Sequence, residues 1–119
     1  MAKILVVDDS ALSRRMLRSI LESAAHNVIE AADGMIAIEK YFLEKPDVVL
    51  LDLIMRGMVG IEVLKKLRQM DPQVKVVVAT ADIQASTQMI VLEEGATSFV
   101  SKPFVSEQIL IAVNSALEV

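Results

Sequence analysis

The chain of 119 residues contains no cysteine, which rules out disulfides, thiolate metal sites and a cysteine nucleophile together. Aromatic residues are scarce at 3%, although hydrophobic residues as a whole make up 54%. The core must therefore be packed from Leu, Ile, Val, Ala and Met. An excess of positive charge is also missing. A net charge of −4 and an isoelectric point near 4.9 argue against direct nucleic-acid binding, which needs clustered cations on the phosphates. They argue equally against a polybasic membrane-binding surface. The apolar run 4–7 is closed by Asp8, so it is too short for the hydrophobic segment of a signal peptide. No run approaches the roughly 18 apolar residues of a membrane span. Linkers, low-complexity tracts and duplicated segments are absent as well. The expectation is one cytoplasmic domain over 1–119, of ordinary size for a single domain, with no membrane partner.

What the sequence does contain is an alternation of two periods. Five short β-branched runs stand at 3–7, 27–31, 47–51, 74–79 and 98–101. The first, third and fourth are apolar without alternation, as in parallel strands covered on both faces. The second and fifth are shorter or more mixed and suit flanking positions. Helical spacing separates the runs. Leu12, Met16, Leu17, Ile20, Leu21 and Ala24 form one apolar stripe, with Arg14, Arg15 and Arg18 mostly on the wet side. Asp33-Gly34 and Lys45-Pro46 mark the start and stop of a second helix. Ile61, Leu64 and Leu67 line a third helix, and Ile109, Leu110, Val113 and Leu117 a fifth. The fourth, about 83–94, is poorly polarised because Met89 to Leu92 are all apolar, so part of it is expected to be exposed or covered by a partner. A β-α unit repeated five times predicts an α/β fold: a three-layer, doubly wound sandwich around a parallel sheet.

In such sheets ligands bind beyond the carboxyl ends of the strands, where the winding reverses. Strand one runs into Asp8-Asp9-Ser10, strand three into Asp52, strand four ends at Thr80, and strand five runs into Lys102-Pro103. Each piece alone has an ordinary reading: a turn or helix cap, a β-former, a solvated lysine. Their convergence on one edge does not. Three carboxylates held together repel unless a cation relieves them, and few carboxylates with waters and phosphate oxygens is how Mg²⁺ is bound. A carboxylate can act as a nucleophile toward phosphorus. A lysine and a threonine hydroxyl supply the charge and hydrogen bond that a phosphoryl group needs.

The segments VVDDS (6–10), LLDLIM (50–55), ATA (79–81) and SKPF (101–104), in this order and spacing, resemble the receiver domain of two-component response regulators, most nearly the single-domain chemotaxis type. The resemblance covers essentially the whole chain. It implies a flavodoxin-like sheet in strand order 2-1-3-4-5 with five helices, an order for which a chemotaxis receiver is a standard example. It implies that Asp52 accepts phosphate from a histidine kinase's phosphohistidine, a self-catalysed transfer with slow autodephosphorylation. Asp9, Asp52 and the Ile54 carbonyl would ligate Mg²⁺, and Asp8 would act largely through water. Lys102 would bind the phosphoryl group, and its bond to Pro103 would be cis. Thr80 and Phe99 would form the switch, relaying the signal through helix 4, strand 5 and helix 5, including Ile83, Gln84 and Gln88, to a downstream effector or fused output domain.

The loop after the acceptor departs from the pattern. Relatives carry a Met-Pro pair and then an acidic-Gly pair, where this chain has Met55-Arg56-Gly57-Met58-Val59-Gly60. Losing the proline costs about 0.4–1 kcal/mol where the native φ suits proline, and losing a cap at Val59 about 0.5–2 kcal/mol. A more mobile loop is expected, with Arg56 either solvated or reaching toward the phosphoryl group. His26 reads as a surface or turn residue, and Tyr41 and Phe42 as packing of helix two. Three other classes fit less well. An aspartate-nucleophile Mg²⁺ phosphohydrolase wants a second acid at position 54, where Ile stands, and a cap domain. A flavodoxin-like redox module wants a Ser/Thr/Gly-rich loop after strand one. A receiver-like adaptor that never takes up phosphate would have no need of Asp52, Thr80 and Lys102 together.

Overall fold

The computed structural model describes residues 1–55 and 59–118. The expectations for loop mobility and for Arg56 lie outside the described residues. Five strands alternate with five helices: β1 (Lys3–Val7), α1 (Ala11–Ser23), β2 (Asn27–Ala31), α2 (Gly34–Glu44), β3 (Val48–Leu51), α3 (Gly60–Met70), β4 (Val76–Thr80), α4 (Ala85–Glu93), β5 (Ser98–Ser101) and α5 (Ser106–Leu117). All pairings are parallel, in the order β2-β1-β3-β4-β5 that the receiver resemblance implies.

Alternation within the strands divides the core in two. Leu5, Val7, Val49, Leu51, Val76 and Val78 pack on one face against Ala37 and Tyr41 of α2, Val63, Leu64 and Leu67 of α3, and Val91 of α4. Ile4, Val6, Val48, Leu50, Val77 and Ala79 face the other way, onto Leu17 and Leu21 of α1 and Ile109, Val113 and Ala116 of α5. Central strands sandwiched by two helical layers have no polar face, which is why their sequences do not alternate.

Several side chains depart from expectation. Leu12, Met16 and Ala24 of the α1 stripe are exposed. The helix meets the core through Leu17 and Leu21 in its second half, and Ala24 is already its C-cap. Arg14 and Arg18 are not simply solvated, because both bind Glu30 on β2. Phe42 is exposed although its neighbour Tyr41 is buried. Tyr41 donates to Asp71 Oδ2 at 2.8 Å, and burial followed by that contact raises its phenol well above the ordinary value. His26 is half-buried, its Nδ1 accepting from the Ala2 amide at 3.2 Å. The second helix starts as expected, with Asp33 accepting from the Ile36 amide, and ends at Lys45 in the left-handed region.

The third helix begins without a cap. Val59 has the extended backbone of a cap residue (φ −67°, ψ 144°) but no side-chain bond to the helix. Gly60 follows in close contact: an added Cβ would lie 2.4 Å from Leu53 Cα and 2.5 Å from the Asp52 carbonyl oxygen. Only glycine lets the helix start this near the backbone of Asp52. Val59→Asn is expected to add about 1 kcal/mol of stability, read as a higher urea midpoint at unchanged slope. Gly60→Ala should cost about 1–3 kcal/mol through overpacking, checked by the same titration.

Candidate functional site

The sheet positions the site by extending its own ladder one residue past the strand ends. The Asp8 amide donates to the Ala31 carbonyl at 3.1 Å, the Asp52 amide to Val7 at 2.9 Å, and the Lys102 amide to Thr80 at 2.9 Å. Each residue therefore inherits the register of its strand rather than the freedom of a loop. The structure brings together Asp8, Asp9, Asp52 and Lys102 as expected, and the Lys102–Pro103 bond is cis.

Lys102 is the hub. Its Nζ lies 2.9 Å from Asp8 Oδ2 and 3.2 Å from Asp52 Oδ2, donates to Ser13 Oγ at 3.3 Å, and stands 5.6 Å from the centre of the Phe104 ring. Asp52 is almost fully buried, and its Oδ1 accepts from the Ile54 amide at 3.2 Å. Asp8 is buried as well; its Oδ1 accepts from the Ser10 amide at 2.9 Å. Despite its nearness to Lys102, Asp8 Oδ2 accepts no hydrogen bond of normal geometry among the described residues. Asp9 is exposed at the rim.

The electrostatics follow from this arrangement. Burial raises the Asp8 carboxyl above its ordinary value, and the charge of Asp52 adds to the effect; the Ser10 amide and Lys102 oppose it without cancelling it. Burial by itself would lower the Lys102 ammonium, but Asp8 and Asp52 outweigh it and hold the lysine above its ordinary value.

One carboxylate oxygen from each of Asp8, Asp9 and Asp52 falls within 4.8 Å of the others. Three formal negative charges facing one ammonium, with a buried oxygen lacking a hydrogen bond, fit a hard divalent cation with oxygen preference. The residues present can hold such an ion.

Thr80 is fully buried, and its Oγ1 accepts from the Asp82 amide at 3.4 Å. Phe99 is half-buried on β5, in an open cleft with Ile83, Gln88 and Ile111. Gln84 is exposed as the residue before α4, and Ile54 is also exposed.

Two contributors were missed in the sequence. Ser13 touches Lys102, and Arg14 donates to the Asp8 carbonyl at 2.8 Å while binding Glu30 at 3.0 Å. Glu30 is kept below its ordinary value first by Arg18 and then, against some burial, by Arg14. Ser10 caps α1 by accepting from the Ser13 amide, which places Ser13 in the first turn beside the pocket.

A buried strand-end aspartate, paired with a lysine and flanked by two acids at the edge of a doubly wound sheet, is the arrangement of a carboxylate phosphoacceptor domain. The family model for the response regulator receiver domain matches residues 4–114, and the chain belongs to that family. It is 38% identical over 116 residues to the chemotaxis protein CheY of Bacillus subtilis, covering 97% of each chain. Among solved structures, a putative response regulator from Chloroflexus aurantiacus superposes with a TM-score of 0.94 at 27% identity, covering 99% of this chain and 98% of that one. The CheX–CheY–BeF₃–Mg²⁺ complex from Borrelia burgdorferi matches with a TM-score of 0.92 at 33% identity, covering 95% and 87%.

The raised Asp8 carboxyl has a consequence for stability. A group whose folded value lies above its unfolded value contributes stability at pH below the unfolded value, here 3.8, and loses it as pH rises through the folded one. At neutral pH without divalent metal, ionised Asp8 thus opposes folding. Asp8→Asn is expected to raise the thermal midpoint at pH 7 by a few degrees, with the gain shrinking as pH falls toward 4. Calorimetry across that range checks it.

Proposed function

We propose that Asp52 takes a phosphoryl group from the phosphohistidine of a sensor histidine kinase and that the phosphorylated domain signals through α4, β5 and α5. The observation that carries this reading is the single ammonium of Lys102 bridging two buried carboxylates. It is poised to follow negative charge as that charge shifts onto a phosphoryl oxygen.

The step balances simply. A carboxylate oxygen of Asp52 forms a bond to phosphorus, the P–N bond to the donor imidazole breaks, and its electron pair leaves with the imidazole. No proton need be removed from Asp52, so the site requires no general base. What it must supply is alignment and charge neutralisation. Lys102 provides part of both, and Thr80 offers a hydroxyl from the end of β4. Asp9, Asp52 and the Ile54 carbonyl would hold Mg²⁺, with Asp8 largely through water; the ion would add the remaining positive charge at the phosphoryl oxygens. The similar Borrelia protein was solved with BeF₃ and Mg²⁺, which supports this pairing of ligands.

For the readout, the Thr80 hydroxyl turns toward the phosphoryl group, and Phe99 moves from its half-buried place into the space released. The partner, a separate effector or a fused output domain, would then read α4, β5 and α5, where Ile83, Gln84 and Gln88 lie beside Phe99.

Incubation with acetyl phosphate and Mg²⁺ followed by intact mass measurement tests the assignment. The expected result is a gain of one phosphoryl group that is absent without Mg²⁺ and absent in Asp52→Asn. No gain under saturating donor would sink the proposal in favour of an adaptor, and sustained hydrolysis of phosphomonoesters would favour the phosphohydrolase.

A further inference from the structure

Four contacts at the pocket close into a ring. Asp8 Oδ1 accepts from the Ser10 amide, Ser10 Oγ accepts from the Ser13 amide at 3.2 Å, Ser13 Oγ accepts from Lys102 Nζ, and Lys102 Nζ returns to Asp8 Oδ2. Ser13 occupies the third position of α1. In a capping box that position carries Glu or Gln, which reaches back to the cap residue's amide. Here the Ser10 amide is already taken by Asp8, and the side chain at 13 is free to serve Lys102. A glutamate there would place a fourth carboxylate beside the pocket; a serine adds an acceptor without charge.

The ammonium has three N–H donors; it donates to Ser13 and Asp52 and lies against Asp8 as an ion pair. Two of these three partners are claimed during the proposed reaction. An oxygen of Asp52 becomes bonded to phosphorus, and the acidic cluster that includes Asp8 is the group that would serve the cation. The Ser13 hydroxyl is the partner that neither event removes. We infer that Ser13 is a positioning residue for phosphotransfer, holding Lys102 in place while its carboxylate partners change hands. This inference rests on the phosphoacceptor reading given above.

The test compares the wild type, Ser13→Ala and Ser13→Thr in acetyl phosphate at saturating Mg²⁺, following the phosphoryl gain by intact mass over time. Ser13→Ala should slow the gain about tenfold or more, the effect of losing one hydrogen bond from a charged donor. Its thermal midpoint and the Mg²⁺ concentration giving half the maximal rate should stay at the wild-type values. Ser13→Thr, which keeps the hydroxyl, should restore the rate. A wild-type rate in Ser13→Ala overturns the inference alone, as does a Ser13→Thr protein as slow as Ser13→Ala, since packing rather than the hydroxyl would then be responsible. A wild-type protein that gains no phosphoryl group overturns the phosphoacceptor reading and this inference with it.

Discussion

The pocket depends on one imbalance: two buried carboxylates are held near each other by a single ammonium. Taking charges out of water is costly, and the attraction within a buried pair repays it only when hydrogen bonds satisfy the remaining lone pairs. At Asp52 this condition is nearly met, by the Ile54 amide on one oxygen and Lys102 on the other. At Asp8 it is not, because one oxygen lacks a hydrogen bond of normal geometry among the described residues. The site is therefore stable enough to form and short of positive charge once formed. A cation or a change in the charge on Asp52 acts on an arrangement already under electrostatic tension.

The sheet tolerates that tension because its interior is apolar and its ladder runs into the pocket. Val7, Leu51 and Thr80 are fully buried or nearly so, and the amides of Asp8, Asp52 and Lys102 remain bonded to the neighbouring strands. Repulsion between side chains at the edge cannot relax by moving the backbone without breaking those bonds. Gly60 adds a constraint from the other side, since α3 begins in contact with the Asp52 carbonyl. Arg14 does the same for Asp8 by gripping its carbonyl from α1 while anchored to Glu30 on β2.

The strands and the acidic edge were legible in the sequence because both depend on short, uninterrupted patterns. An unalternating run such as 48–51 has one economical burial, and the residue ending it has one direction to face. The second helix was legible for a similar reason, since Asp33 and Lys45-Pro46 carry local start and stop chemistry. Side chains on helix surfaces were harder to place. Leu12 and Phe42 have the spacing of buried residues, but whether an apolar helical position reaches the core depends on how far the helix overlaps the sheet, which periodicity does not encode. Ser13 was invisible for another reason: its partner lies 89 residues away, and a serine in a first helical turn carries no signal of long-range contact.

The fourth helix shows what the pattern did encode. Its apolar residues are spread around the axis, and Val91 alone among them is buried, leaving Met89, Ile90 and Leu92 exposed. Little apolar burial anchors it, so local bonds carry more of the task of fixing its start. Asp82 supplies them: its carboxylate accepts from the Gln84 amide and from the Thr87 hydroxyl, while its own amide donates to Thr80 Oγ1. Under the proposed function, the Thr80 hydroxyl leaves that amide when it turns toward a phosphoryl group. The bond lost belongs to the same residue that holds the start of α4. On that proposal, a helix with a shallow apolar anchor and a start joined to the pocket through Asp82 is the element expected to respond most readily to the charge state of Asp52.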